Sequence, residues 1–429
     1  MKIYNKRKLT KEDLKSLMRR PGDGAADITE LVGKICLDVK KRGDDAVREY
    51  ADLYEPTSVE IFRVADDEFE EAERLVSPKL KEAVTKAENN IRAFHLAQLR
   101  DSEDVQISDG ISCRREIRPY DTVGLYIPAG SAPLPSTVLM LGVPAQIAGC
   151  TRILLSSPPN GAGKIDPSVL FTASHLGIRE IYKAGGAQAI AAMAYGTKSI
   201  PKVEKIFGPG SRYVMLAKQF VSSDRDMSGC PVDLIAGPSE LLIIADDTAP
   251  PEFVAVDLLS QAEHDPYSQV VLVTPDRQLA EKVTEIVQSK ATAFPRRKII
   301  EQSLARSFIL VVSNMDEAIE SSNDYAPEHL TIMTRDPEEI GKKIKHAGSV
   351  FLGEYSPVTA GDYASGTNHT LPTGGSAKWF GGLTVESFQK TITFQTLTRE
   401  GLQNLAPTLI TLTEAEGLDA HKLAVTERL

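Results

Sequence analysis

Cysteine is scarce. Four residues, Cys36, Cys113, Cys150 and Cys230, are spread over 429 positions with no Cys-x-x-Cys among them. That excludes a disulfide scaffold and suits free thiols in a reducing compartment. A basic excess is also lacking: 49 Lys and Arg against 59 Asp and Glu leave a formal net charge of −10. Nucleic-acid and anionic-membrane surfaces are therefore disfavoured as partners. No long apolar run occurs. The longest mostly apolar stretch, Thr137 to Gly149, contains Pro144 and Gln146 and falls short of the ~20 residues a membrane span needs. The N-terminus, MKIYNKRKLTKEDLKSLMRR, has no apolar segment of the kind that marks secretion, so a cytoplasmic location is expected. No internal repeat is present. What remains is ordinary globular composition, 42% apolar and 25% charged, and a length that suggests two or three domains at roughly 150 residues each. A soluble protein with a small-molecule or protein partner is expected.

The periodicities organise the chain. From the start to about Leu99 the pattern reads as helical and charged, with apolar residues three and four apart over Asp27 to Leu53 and Ser77 to Gln98. Strands are then predicted at Thr122 to Ile127, Arg152 to Ser156, Glu180 to Lys183 and Lys205 to Phe207, alternating with helices. A second run places strands at Leu241 to Ala245, Gln269 to Val273, Phe308 to Val312, Leu330 to Met333 and Ser349 to Leu352. Strands alternating with helices of ten to fifteen residues imply βαβ units and parallel sheets. Two α/β modules are expected, meeting near Gly237 to Ser239. The stretch from Gly353 to Gly382 is rich in Gly, Ser, Thr and Pro, and a loop of that length is usually functional. The final 45 or so residues read as helical.

Several residues carry possible chemistry. Gln261 and His264 lie three apart at the end of a buried helix that Asp265-Pro266 terminates, a spacing that shares one helix face. Asp362 lies in the loop AGDYASGTNHTLPT, His369 seven residues on, and His421 near the C-terminus. Imidazole, carboxylate and amide oxygen together suit zinc or another borderline divalent metal; a helix-capping His and an ordinary loop Asp fit the same spacing. Glu328 and His329 offer adjacent acid and imidazole groups for proton transfer. Neighbours in a strand face opposite ways, so both reach one site only if the backbone is irregular, which Pro327 allows. A solvated Glu-His pair is the alternative.

Glycine turns invite nucleotide readings. Gly208-Pro209-Gly210-Ser211 follows a strand and opens a helix, a geometry that binds phosphate, but the third glycine of G-x-G-x-x-G is absent. NGAGKID fails as a P-loop, with Pro158 for the first glycine and Ile165 for the Ser or Thr. Gly185-Gly186 is another strand-turn-helix candidate, though such turns are often only turns. Cys113 and Cys150 have no His or Lys close in sequence to activate them, and read as inert.

Eight segments together are distinctive: RPYDTVGLYIPAGSAPLPSTVLMLGVPAQIAGC, KAGGAQAIAAMAYGT, KIFGPG, AGPSE, LLSQAEHDP, NDYAPEHL, AGDYASGTNHTLPTGG and VESFQKTITFQ. In this order they resemble the histidinol dehydrogenase family from about Asn90 to the C-terminus. The resemblance implies oxidation of L-histidinol through histidinal to L-histidine with two NAD reduced, in histidine biosynthesis, by a zinc-dependent homodimer. It implies zinc ligands at Gln261, His264 and Asp362, with His421 from the partner chain, and a catalytic pair at Glu328 and His329. Substrate contacts map to Ser239, Glu416 and His329 along with the zinc ligands, and NAD contacts to Tyr126 and Gln188. A third NAD contact, normally Asn, falls on Ser211, whose hydroxyl can still cap the helix or bond the cofactor.

The implied fold is α/β. It has two incomplete doubly wound, Rossmann-like parallel-sheet modules of aldehyde-dehydrogenase-like form, a helical N-terminal region and a swapped C-terminal tail. The expected divisions are an N-terminal segment 1–25, a discontinuous zinc and catalytic domain 26–121 with 240–381, an NAD-binding domain 122–239 and a dimerisation tail 382–429. Rival readings are a superfamily dehydrogenase for another alcohol such as a sulfonated diol, a zinc hydrolase with Glu328 as base, and a non-catalytic binding module. NADH formed on adding histidinol separates the first reading from the last two.

Overall fold

The structure is a computed structural model that describes residues 1–20, 26–57, 59–129, 132–224, 229–234 and 237–429. Gly130, Ser131 and Ala236 of the quoted motifs, and positions 21–25 of the N-terminal segment, lie outside the described residues. Strand β1 (Lys2–Asn5) precedes helices between Lys11 and Leu96, followed by β2 (Glu103–Ser108) and β3 (Ile111–Pro119). Strands β4 (Thr122–Tyr126), β5 (Arg152–Ser157), β6 (Glu180–Lys183) and β7 (Lys205–Phe207) alternate with helices. A second alternating set comprises β8 (Glu240–Ala245), β9 (Gln269–Thr274), β10 (Phe308–Val311), β11 (His329–Met333) and β12 (Ser349–Leu352). β13 (Gln389–Leu397) and the helices Arg399–Glu416 and Asp419–Thr426 close the chain.

Two parallel sheets result. One has the order β6-β5-β4-β7, the other β1-β10-β9-β8-β11-β12. In both, the order reverses beside the first strand of the set, between β4 and β7 and between β8 and β11, as in doubly wound sheets. Each sheet is covered on both faces, which is why its strands are nearly continuous Val, Ile and Leu. Val138, Leu141, Val169 and Phe171 cover one face of the four-stranded sheet, and Val32, Ile35, Ile190 and Val214 the other. Val254, Leu258, Leu279 and Val283 cover one face of the six-stranded sheet, and Ile319 and Tyr325 the other.

Four expectations are corrected. The N-terminus is not helical throughout: Lys2–Asn5 pairs in parallel with Phe308–Val311 at the sheet edge. A four-residue edge strand has too little length to show a period. The helical pattern over Asp27 to Leu53 is two helices, 26–42 and 44–54, broken at Gly43, whose φ of 60° ends the first. Residues 26–96 do not group with 240–381; their helices pack on the four-stranded sheet, with Val39, Val47, Val84 and Ile91 in its cores. The C-terminal region is not all helical. Gln389–Leu397 forms a ribbon with β3, which also pairs with β2. That three-stranded antiparallel sheet stands mostly exposed, so backbone pairing rather than apolar burial holds it.

The loop after β12 ties the two sheets together. Asn368 Nδ2 donates to the Met140 carbonyl in the helix after β4 (2.6 Å) and lies 3.3 Å from Nε2 of His95. His95 is fully buried, and its Nδ1 lies 2.8 Å from the Ile91 carbonyl. Burial lowers its pKa, against the opposing Ile91 bond. The unfolded chain therefore takes up a proton near pH 6.5 that the folded protein resists, so stability is complete above that pH and falls as pH drops through it. Replacing His95 by Gln should flatten the dependence of the melting temperature on pH between 7.5 and 5.5. An unchanged slope would show that His95 does not carry this linkage.

Candidate active site

The site is built where the amino edge of the six-stranded sheet meets the loop after β12. This is unusual, because open parallel sheets bind ligands beyond their carboxyl ends. Ala326, with φ 52°, is the one non-glycine residue of positive φ among the described residues. It turns the chain sharply before Pro327, so that Glu328 stands outside β11 while His329 begins it. The irregularity foreseen at Pro327 lets both side chains enter one pocket.

Glu328 and His329 are 6% and 3% exposed. The backbone of Glu240, first residue of β8, holds both: its N–H donates to Glu328 Oε2 (2.7 Å), and its carbonyl lies 3.1 Å from His329 Nδ1. Glu328 Oε2 is 3.3 Å from His329 Nδ1, and Asp362 Oδ1 is 3.1 Å from His329 Nε2. Burial pushes the Glu328 pKa up, with the imidazole opposing. For His329 burial acts downward, but the carboxylates of Glu328 and Asp362 outweigh it and raise the pKa well above the ordinary value. Asp362 mirrors this: burial acts upward, yet His329 holds its carboxyl below the usual range. The Phe351 ring stacks 6.0 Å from the imidazole.

Three of the four residues named for metal binding, Gln261, His264 and Asp362, gather around His329. Gln261, 1% exposed, places Nε2 3.3 Å from His329 Nδ1. His264 does not share a helix face with it: the helix ends at Ala262, and His264 lies in the turn beyond, its N–H donating to the Gln261 carbonyl (3.3 Å). It is open to solvent in the single chain, yet enough protein surrounds it to lower its pKa by desolvation, with Asp362 opposing. Asp362 sits in the short helix Val358–Tyr363 rather than in loop. Among the described residues no group of three His, Cys, Asp or Glu is close enough to hold a metal alone. Gln261, His264 and Asp362 together nonetheless offer an amide oxygen, a neutral imidazole and a carboxylate. That donor set fits a borderline divalent ion with a further donor still to be supplied.

Other expected residues stand apart. Ser239 is half-buried immediately before β8, beside Glu240. Glu416 and His421 are exposed on the C-terminal helices, and the single chain does not bring them to the site. Tyr126, Gln188 and Ser211 surround the strand-order reversal of the four-stranded sheet. Tyr126 ends β4, and its hydroxyl accepts from the Gly186 N–H (3.0 Å). Gln188 is in the first turn of helix Gly186–Tyr195, and Ser211 is the N-cap of helix Arg212–Ser222 without a side-chain capping bond.

Sequence reading missed Glu55 and Arg20, and singled out His369 without giving it a role. Glu55 Oε1 accepts from Gln188 Nε2 (2.8 Å) and the Gly185 N–H (2.9 Å) from more than a hundred residues away. His369 bridges the Asp362 carbonyl (2.8 Å from Nδ1) and the Thr137 hydroxyl (3.1 Å from Nε2). Arg20 pairs through two nitrogens with the Glu240 carboxylate (3.0 and 3.1 Å). No local pattern announces Glu55 or Arg20; a lone Glu and Arg in charged helical sequence look solvated.

Known proteins match throughout. The histidinol dehydrogenase family model covers residues 18–429. Histidinol dehydrogenase of Photobacterium profundum is 47% identical over 430 residues, spanning 100% of this chain and 96% of its own. That of Vibrio parahaemolyticus is 49% identical over 422 residues, spanning 98% and 96%. The crystal structure of histidinol dehydrogenase from Elizabethkingia anophelis superposes with a TM-score of 0.94 at 46% identity, covering 100% of this chain and 98% of that one. The protein is thus an α/β, NAD-dependent oxidoreductase with an acid–imidazole pair buried at the amino edge of its six-stranded sheet. It belongs to the histidinol dehydrogenase family, whose chemistry is part of histidine biosynthesis.

Proposed function

We propose that this enzyme oxidises L-histidinol through L-histidinal to L-histidine, a zinc-dependent four-electron reaction that reduces two NAD. The buried Glu328–His329 pair, held by both backbone groups of Glu240, carries this reading. Gln261, His264 and Asp362 would hold zinc with His421 from a second copy of the chain, and zinc when bound would supply a Lewis-acidic anchor for the substrate's nitrogens. His329 takes the hydroxyl proton as the alcohol carbon loses hydride to the first NAD. Glu328 then draws a proton from water as the water oxygen bonds to the aldehyde carbon, and His329 returns its proton to the aldehyde oxygen, giving a gem-diol and a His329 free to act again as base. His329 accepts the second hydroxyl proton while hydride passes to a second NAD, leaving the carboxylic acid. Ser239, Glu416 and His421 are assigned with the zinc ligands and His329 to substrate contact. Burial keeps bulk water from the aldehyde between the steps.

Tyr126, Gln188 and Ser211 are assigned to NAD. Their support is position, at the carboxyl end of the four-stranded sheet where strand order reverses and dinucleotides bind in this class of fold. A homodimer with shared sites is supported by the C-terminal helices, which leave Leu412, Leu418 and Leu423 exposed. No helix among the described residues is long and apolar enough to cross a membrane. The four cysteines are free, in keeping with the proposed cytoplasmic setting.

The test is stoichiometry. Exhaustive turnover of limiting L-histidinol should yield two NADH and one histidine per substrate. One NADH with free aldehyde accumulating would overturn the four-electron reading.

A further inference from the structure

Lys218 and Asp233 form an ion pair whose side chains are only 2% and 1% exposed, and neither belongs to the proposed catalytic or ligand-binding set. Removing two charges from water costs more than their attraction commonly returns, so such a pair calls for a role beyond stability. Its partners supply one. Lys218 Nζ donates to the Gly208 carbonyl (2.8 Å), and Asp233 Oδ2 accepts from the Gly208 N–H (2.8 Å), while Lys218 and Asp233 Oδ1 bond directly to each other. Both backbone groups of one glycine are thus clamped by one buried pair.

The elements dictate this arrangement. Residues 231–233 run beside β7, with the Ile206 N–H donating to the Pro231 carbonyl and the Asp233 N–H to the Ile206 carbonyl (3.1 and 3.0 Å). That brings Asp233 level with Gly208, one residue beyond β7. Lys218 lies in helix Arg212–Ser222, on the face that buries Val214, Ala217 and Val221. Gly208 has φ 119°, and a Cβ there would stand 2.2 Å from the Tyr126 carbonyl. The turn therefore packs tightly on the end of β4, where the strand order reverses. Helix Arg212–Ser222 starts from this turn, and Ser211 is its N-cap.

We propose that Lys218 and Asp233 are positioning residues for the dinucleotide: they fix the Gly208–Ser211 turn, and with it Ser211 and the helix start, against Tyr126. This rests on the NAD assignment made above. The test is the double variant Lys218→Met/Asp233→Leu in zinc-loaded enzyme, which removes both charges together and leaves neither buried unpaired. NADH titrated by its fluorescence should bind roughly ten- to hundred-fold more weakly. The KM for NAD should rise by a similar factor, with kcat at saturating NAD and the KM for histidinol unchanged.

A folded double variant with wild-type NADH affinity would overturn the proposal. So would equal rises in both KM values, which mark a merely structural role. If the double variant does not fold, Asp233→Ala and Lys218→Ala replace it, each removing one of the two bonds to Gly208; wild-type NADH affinity in both overturns the proposal. Failure of all three to fold also overturns it, since the pair would then serve the sheet itself. Gln188→Ala and Ser211→Ala are the controls. If they leave NADH affinity unchanged, the cofactor assignment fails; if they weaken it while the clamp variants do not, only the clamp fails.

Discussion

Glu328→Gln should slow histidinal oxidation by about 10²–10⁴-fold, the usual cost of losing a general base, and slow histidinol oxidation far less. The amide keeps the size of the carboxylate and an oxygen for the Glu240 N–H, so the backbone grip on this position survives. What it loses is the negative charge that would take a proton from water. Losing that charge also removes one of the two carboxylates that raise the His329 pKa. The half-reactions are measured separately, in single turnovers started from histidinol and from histidinal. Equal losses in both would mean that Glu328 has no special part in activating water.

Mixing two inactive variants should restore activity if the zinc site is shared between copies. His421 is exposed, and its helix Asp419–Thr426 buries no residue in the single chain. Terminal segments stay poorly ordered unless something ties them down, and a metal bond to a second copy would do so. His421→Ala and His264→Ala, each inactive alone, are combined in equal amounts under conditions where subunits exchange. Half of the dimers are then mixed, and in each the two lesions fall in one site and leave the other intact. Roughly a quarter of wild-type activity should return. Activity that stays at the level of the separate variants despite proven exchange would place His421 in its own chain's site.

The nine strands β4 to β12 were read from sequence to within a residue at each end, because strands buried on both faces appear as short apolar runs between turn signals. The strands not read, β1, β2, β3 and β13, sit at an edge or in the exposed ribbon, where pairing with a distant segment replaces burial and leaves no local period. Helix content near the N-terminus was legible, but not which sheet those helices cover, since an apolar face does not name its partner. At the site, residue types were visible and geometry was not. Glu328 beside His329 is suggestive in any sequence; that the two share a pocket depends on the left-handed Ala326 and on Glu240, brought alongside by the β8–β11 pairing. Lys218 carries no sign in the sequence of its role, since a lysine in a helix ordinarily faces water. Asp233 reaches Gly208 only because residues 231–233 return beside β7, and Glu55 meets Gln188, as Asp362 meets His329, only through the tertiary fold. Local periodicity reports the conformation of a segment, because it follows from the pitch of helix and strand. Proximity between segments follows from how sheets order and pack, and no single stretch of chain carries that information.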